Sequence, residues 1–117
     1  MKELEFNGIK FYVGQSAKEN WDLLDKSYNI NKEYIWFHLN SFPSPYIIMY
    51  MTYDELKMKT NFEQEEYLLY GSQLCKQYSK YKNFSDLKII YTPINKLSKG
   101  NAIGEVIITG QKKIIKL

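Results

Sequence analysis

"IWFHLNSFPSPYIIMY", Ile35 to Tyr50, decides the reading of the fold: it holds two apolar runs separated by a turn with two prolines. Pro43 and Pro45 lack the amide hydrogen that a sheet ladder needs, so the strands lie on either side of them, at Ile35–Leu39 and Tyr46–Met51. Side chains alternate along a strand. Ile35, Phe37 and Leu39 therefore form a core face, while Trp36, His38 and Asn40 point the other way. That second face carries one of the chain's two tryptophans and its only histidine. Both residue types are intermediate in burial, and the ordinary place for such a face is beneath a helix. The same face is also an aromatic platform with hydrogen-bonding tips.

Working outward, "LEFNGIKFYVG" reads as a hairpin on a two-residue type I′ turn at Asn7-Gly8, pairing Phe6 with Ile9, Glu5 with Lys10 and Leu4 with Phe11. Ser16 and Glu19 have capping-box spacing and predict a short helix near Ala17, with Ala17, Trp21 and Leu24 as its buried stripe. Residues 26–33 read as loop, and 52–61 as loop with a helical turn. A long helix is predicted from Phe62 to Lys82, capped by Thr60 or Asn61, with Tyr67, Gly71, Leu74, Tyr78 and Tyr81 on one side. Gly71 in that stripe points to close approach of a sheet. Leu87–Pro93 is strand-like, "INKLSKGNAIG" a loop, and "EVIITGQKKIIKL" a hairpin around Gly110-Gln111. Its isoleucines at 107, 108, 114 and 115 occupy both faces, which places it inside a sheet. The order ββα, ββ, α, βββ predicts an α+β fold: a mixed, mostly antiparallel sheet with one short and one long helix packed on it.

The 117 residues suit one domain with one core. No apolar run is long enough to span a membrane and no basic-then-apolar leader opens the chain, so a soluble, cytoplasmic protein is expected. A single cysteine, Cys75, and a single histidine exclude an internal disulfide and an ordinary zinc site, and no metal or cofactor is expected. Charge is divided along the chain. Residues 1–75 hold 7 lysines and 11 acids, net −4, and residues 76–117 hold 9 lysines and 2 acids, net +7. All basic residues are lysines. Point-like ammonium groups position a polyanion more than they read it.

Five blocks in register resemble the NFACT RNA-binding domain, over essentially the whole chain from Phe11 onward. Gly14, Ala17 and Asn20 match the family's G-x-N-A-x-x-N block, and Trp36 and His38 its W-x-H strand. Ser44 matches the turn serine, Ser79 and Lys80 a Y-S-K helix end, and Tyr91, Thr92, Lys96 and Lys99 a basic segment opening on Y-T. Two departures stand out: Tyr34 beside Glu33 occupies the place of an acidic residue, and Pro45 that of a histidine. The family supplies the C-terminal module of ribosome-quality-control NFACT proteins and the folded part of a eukaryotic coiled-coil-containing relative. The resemblance implies nucleic-acid binding, with transfer or ribosomal RNA and the ribosome as expected partners and DNA as an alternative. These residues would correspond to the module alone.

The interface expected from this reading comprises Lys96, Lys99, Lys112, Lys113, Lys80, Trp36, His38, Ser44 and Asn20. Lys96, Lys99, Lys112, Lys113 and Lys116 are expected to share one face, with tyrosines available for stacking. A lysine set of this kind also serves simply to keep an apolar hairpin in solution. Catalysis is not expected: His38 with Ser44 or Cys75 lacks a recognisable acid partner. A protein-interaction module is the competing class, favoured by the missing arginines and by Pro45. The sequence leaves the oligomeric state open.

Overall fold

The computed structural model describes residues 1–117. In chain order the elements are β1 (Lys2–Phe6), β2 (Ile9–Gly14), α1 (Ala17–Ile30), β3 (Tyr34–Leu39), β4 (Tyr46–Thr52), α2 (Tyr53–Lys57) and α3 (Asn61–Gln77). They are followed by β5 (Lys88–Pro93), a single 3₁₀ turn (Ile94–Lys96), β6 (Leu97–Lys99), β7 (Val106–Ile108) and β8 (Lys113–Lys116). Six strands form one antiparallel sheet in the order β1-β2-β4-β3-β5-β8, and β6 and β7 pair separately. This is the expected α+β architecture. No helix is long and apolar enough to cross a membrane.

The alternation along β3 divides the molecule into two apolar layers. Ile35, Phe37 and Leu39 join Phe11, Val13, Ile47, Met49 and Ile89 under α2 and α3. Trp36 joins Tyr46, Ile48, Ile90 and Ile94 under α1, whose Leu23 and Leu24 complete the second layer. Burial on both sides of β4 explains its continuous apolar run. Asn7 and Gly8 both have positive φ, 48° and 80°, as the type I′ turn requires, and the β1–β2 pairs are those the sequence predicts. α3 passes over Phe37 at Gly71, where an added Cβ would lie 2.6 Å from the ring, so the close approach inferred from the glycine is real.

Several expectations change. The first helix is not short: it continues through residues 26–30 to Ile30, because "KSYNI" contains no breaker and Leu23, Leu24 and Ser27 keep an inward face. Ala17 is exposed, and Asn20, Leu23, Leu24 and Ser27 form the buried stripe. The long helix, α3, ends at Gln77 rather than Lys82, and Tyr78–Lys82 turn away from it. The segment 105–117 is not a hairpin: β7 pairs with β6, whereas β8 pairs with β5 at the outer edge of the large sheet. Gly110 does take positive φ, 78°, but the chain there passes from one sheet to the other. Ile107 and Ile114 are exposed, so the terminal strands are rim rather than interior.

Candidate nucleic-acid interface

β2 and β3 end, and β4 begins, at one end of the large sheet's central strands. The Ser16 cap starts α1 there: its Oγ accepts from the Glu19 amide at 3.1 Å, while the Glu19 carboxylate accepts from the Gln15 amide at 3.2 Å. Helix geometry leaves the next amides, those of Ala17 and Lys18, without partners inside the helix. The turn after α3 and the loop ending at Gly104 arrive at the same place. Together they enclose a cavity of about 410 Å³, whose walls include Ser16, Asn20, His38, Ser44, Lys80 and Gly104. Gln15, Ala17, Pro43, Pro45, Tyr78, Ser79, Tyr81 and Ile103 complete it. Four of the five separated motif blocks thus converge on one groove.

Several of these residues hold the groove's shape. Asn20 is buried and its Oδ1 accepts from the Tyr46 amide at 3.1 Å, tying α1 to β4. The Ser44 hydroxyl accepts from the Leu39 amide at 3.0 Å and donates to the Pro45 carbonyl at 3.1 Å, closing the proline turn. Cys75 lies behind it, 3.5 Å from Ser44 Oγ, and burial pushes its thiol pKa up to about 12. A thiol so protonated is no nucleophile. Trp36 is 1% exposed, with the His38 ring stacked on it at 5.3 Å and Tyr46 edge-on at 5.5 Å. It supports the groove from beneath. His38 is half-buried, and burial holds its pKa below the ordinary value.

Lys80 is the exposed lysine on the cavity wall. The other lysines do not form the shared face expected of them. Lys99 lies on the α1 side, paired with Asp25 at 2.7 Å and set over the Trp21 ring at 4.9 Å. Lys113 stands opposite Tyr91 and over the Tyr53 ring at 5.0 Å, on the α2 and α3 side. Lys96 and Lys112 are exposed and line neither that cavity nor the one beside it. The side on which each lysine falls depends on strand pairing, which its sequence neighbours do not specify.

Phe42, Phe84, Ile103 and Gly104, which the sequence did not single out, join Tyr81 around the groove. Phe42, Tyr81 and Phe84 form an aromatic cluster, with ring centroids 4.6 Å apart for Phe42–Tyr81 and 5.2 Å for Tyr81–Phe84. Phe42 and Phe84 are exposed. Helical periodicity assigns Tyr81 to the apolar stripe, and although α3 ends before it, the half-buried ring still packs against that core while also meeting Phe42 and Phe84. Gly104 and Ile103 lie in a loop without any pattern to mark them.

The fold is thus an antiparallel sheet flanked by helices, with a groove at one end that combines aromatic rings, the start of α1 and a lysine. The family model described as the NFACT protein RNA-binding domain matches residues 4–116, and the chain belongs to that family. The C-terminal part of the fibronectin/fibrinogen-binding protein from Streptococcus suis has the same fold, with a TM-score of 0.75 at 19% identity. The match covers 98% of this chain and 43% of that one, so this chain spans less than half of its length. No curated protein matches.

Proposed function

We propose that the chain is a non-catalytic RNA-binding module that works in the cytoplasm with transfer or ribosomal RNA, in the setting of ribosome quality control. One observation carries the placement of the interface: Gln15, Ser16, Ala17 and Asn20, His38, Ser44, and Ser79 with Lys80 are distant in sequence and meet at one groove. Family membership supports RNA as the ligand. The divided lysines make the groove, rather than a broad basic face, the centre of binding.

The test is filter binding of single-stranded RNA, duplex RNA, transfer RNA and duplex DNA across a salt series. Each phosphate neutralised should add roughly 0.7–0.9 to the log–log salt slope. Lys80→Glu is expected to weaken RNA binding and to lower that slope. Lys113→Glu, outside the groove and over the Tyr53 ring, is expected to leave both nearly unchanged. Equal effects of the two changes would reject the groove. A protein-interaction role is the second reading, favoured by the exposed Phe42, Phe84 and Ile103 around the same groove. Absence of salt-dependent affinity for any nucleic acid would select it.

A further inference from the structure

His38 sits where two cavities meet. The cavity of about 410 Å³ and a neighbouring one of about 680 Å³ share His38, Pro43 and Gly104 in their walls. The tautomer of the ring is set by one contact. His38 Nδ1 lies 2.8 Å from the Leu39 carbonyl oxygen, which can only accept, so Nδ1 carries the hydrogen. Burial favours the neutral ring. Nε2, which has no partner within the chain, therefore presents a lone pair to the groove. A lone pair repels a phosphate oxygen and calls for a donor. On a nucleic-acid backbone the donor is the ribose 2′-hydroxyl, which DNA lacks.

The surroundings accommodate the rest of a nucleotide. Lys80 on the smaller cavity supplies a cation for phosphate. The larger cavity offers the exposed Phe42 ring and the half-buried Val106 and Ile108, backed by the buried Trp36, Tyr46 and Ile90, an apolar surface suited to a base removed from its stack. The Trp36 indole, whose buried Nε1–H has no partner within the chain, belongs to that wall. Building on the RNA-binding reading above, we infer that the joined groove holds one unpaired ribonucleotide, its 2′-hydroxyl donating to His38 Nε2, its phosphate toward Lys80 and its base against the apolar wall. His38 is then the residue that separates RNA from DNA.

The test is fluorescence anisotropy with short single strands of one sequence, as RNA and as DNA, at matched salt. The wild-type protein is expected to bind the RNA about 10-fold more tightly, the scale of one hydrogen bond whose acceptor otherwise goes unpaired. His38→Phe keeps a flat ring against Trp36 and removes both nitrogens. It should lose this factor on RNA and keep its DNA affinity, with a melting curve that stays cooperative. A second measurement needs no variant: single 2′-deoxy substitutions walked along the RNA should cost most of the factor at one position and little elsewhere. Equal binding of RNA and DNA, an even spread of deoxy effects, or a folded His38→Phe protein that keeps the preference would each overturn the inference while leaving nucleic-acid binding in place. Tighter binding of duplex RNA than of the single strand would overturn the unpaired base. Failure to bind any nucleic acid would remove the broader reading together with this one.

Discussion

A Cβ added at position 71 would press on Phe37, a fully buried ring with no room to retreat. Helix propensity favours alanine over glycine by about 1 kcal/mol. Overpacking a filled core costs about 1–3 kcal/mol. Gly71→Ala is therefore expected to lower stability by up to about 2 kcal/mol in urea unfolding, against the direction propensity alone gives. The glycine was legible because a breaker inside an apolar stripe calls for a reason. His38 yields a second expectation at this scale. Its pKa lies below 6.5 in the folded chain, mainly through burial, with the Leu39 carbonyl opposing. Below the unfolded value the unfolded chain binds more protons, so stability falls as pH drops through 6.5 and levels off below the folded value. Lys80 and Glu105 are the charged side chains lining the adjoining cavities. Urea unfolding at pH 7.5 and 5 should show the loss in the wild-type protein, and His38→Phe should flatten it.

Among the elements, the small β6–β7 sheet depends on its neighbours. The Trp21 indole donates to the Glu105 carbonyl at 3.1 Å, the Tyr46 hydroxyl donates to the Gly104 carbonyl, and Lys99 reaches Asp25. The Lys99 pair is partly exposed and contributes little by itself. Trp21→Ala should accelerate amide exchange at Val106–Ile108 while the central strands β3 and β4 keep their protection, as hydrogen-exchange mass spectrometry can show. Uniform acceleration would mean that the two sheets open together. The β6–β7 pairing was not legible. Isoleucines on both faces of residues 107–115 permit several partners, and the true ones lie in β5 and β6, chosen by the sheet already formed. Starts were legible where side chains cap, as at Ser16 and Thr60; ends were not, because the extension of α1 to Ile30 comes from packing on the sheet.

Across the whole molecule, the motif blocks could be recognised one by one from residues such as Trp36, His38 and Lys80. Their meeting at a groove is a property of the sheet order, which brings the end of β3 beside the starts of α1 and β4. The lysines were legible as a charge imbalance, but their division between two faces was not. That division gives the outermost strand another role. β8 has one backbone edge without a partner, and the exposed Ile114 lies on it. Lys113 and Lys116 bracket that isoleucine, so two copies approaching edge to edge would meet like charge before their backbones could join. Lys113→Ala with Lys116→Ala should therefore raise light scattering over days in concentrated solution with little change in melting temperature. Even at low occupancy by RNA, these ammonium groups would decide how long the protein remains colloidally dispersed.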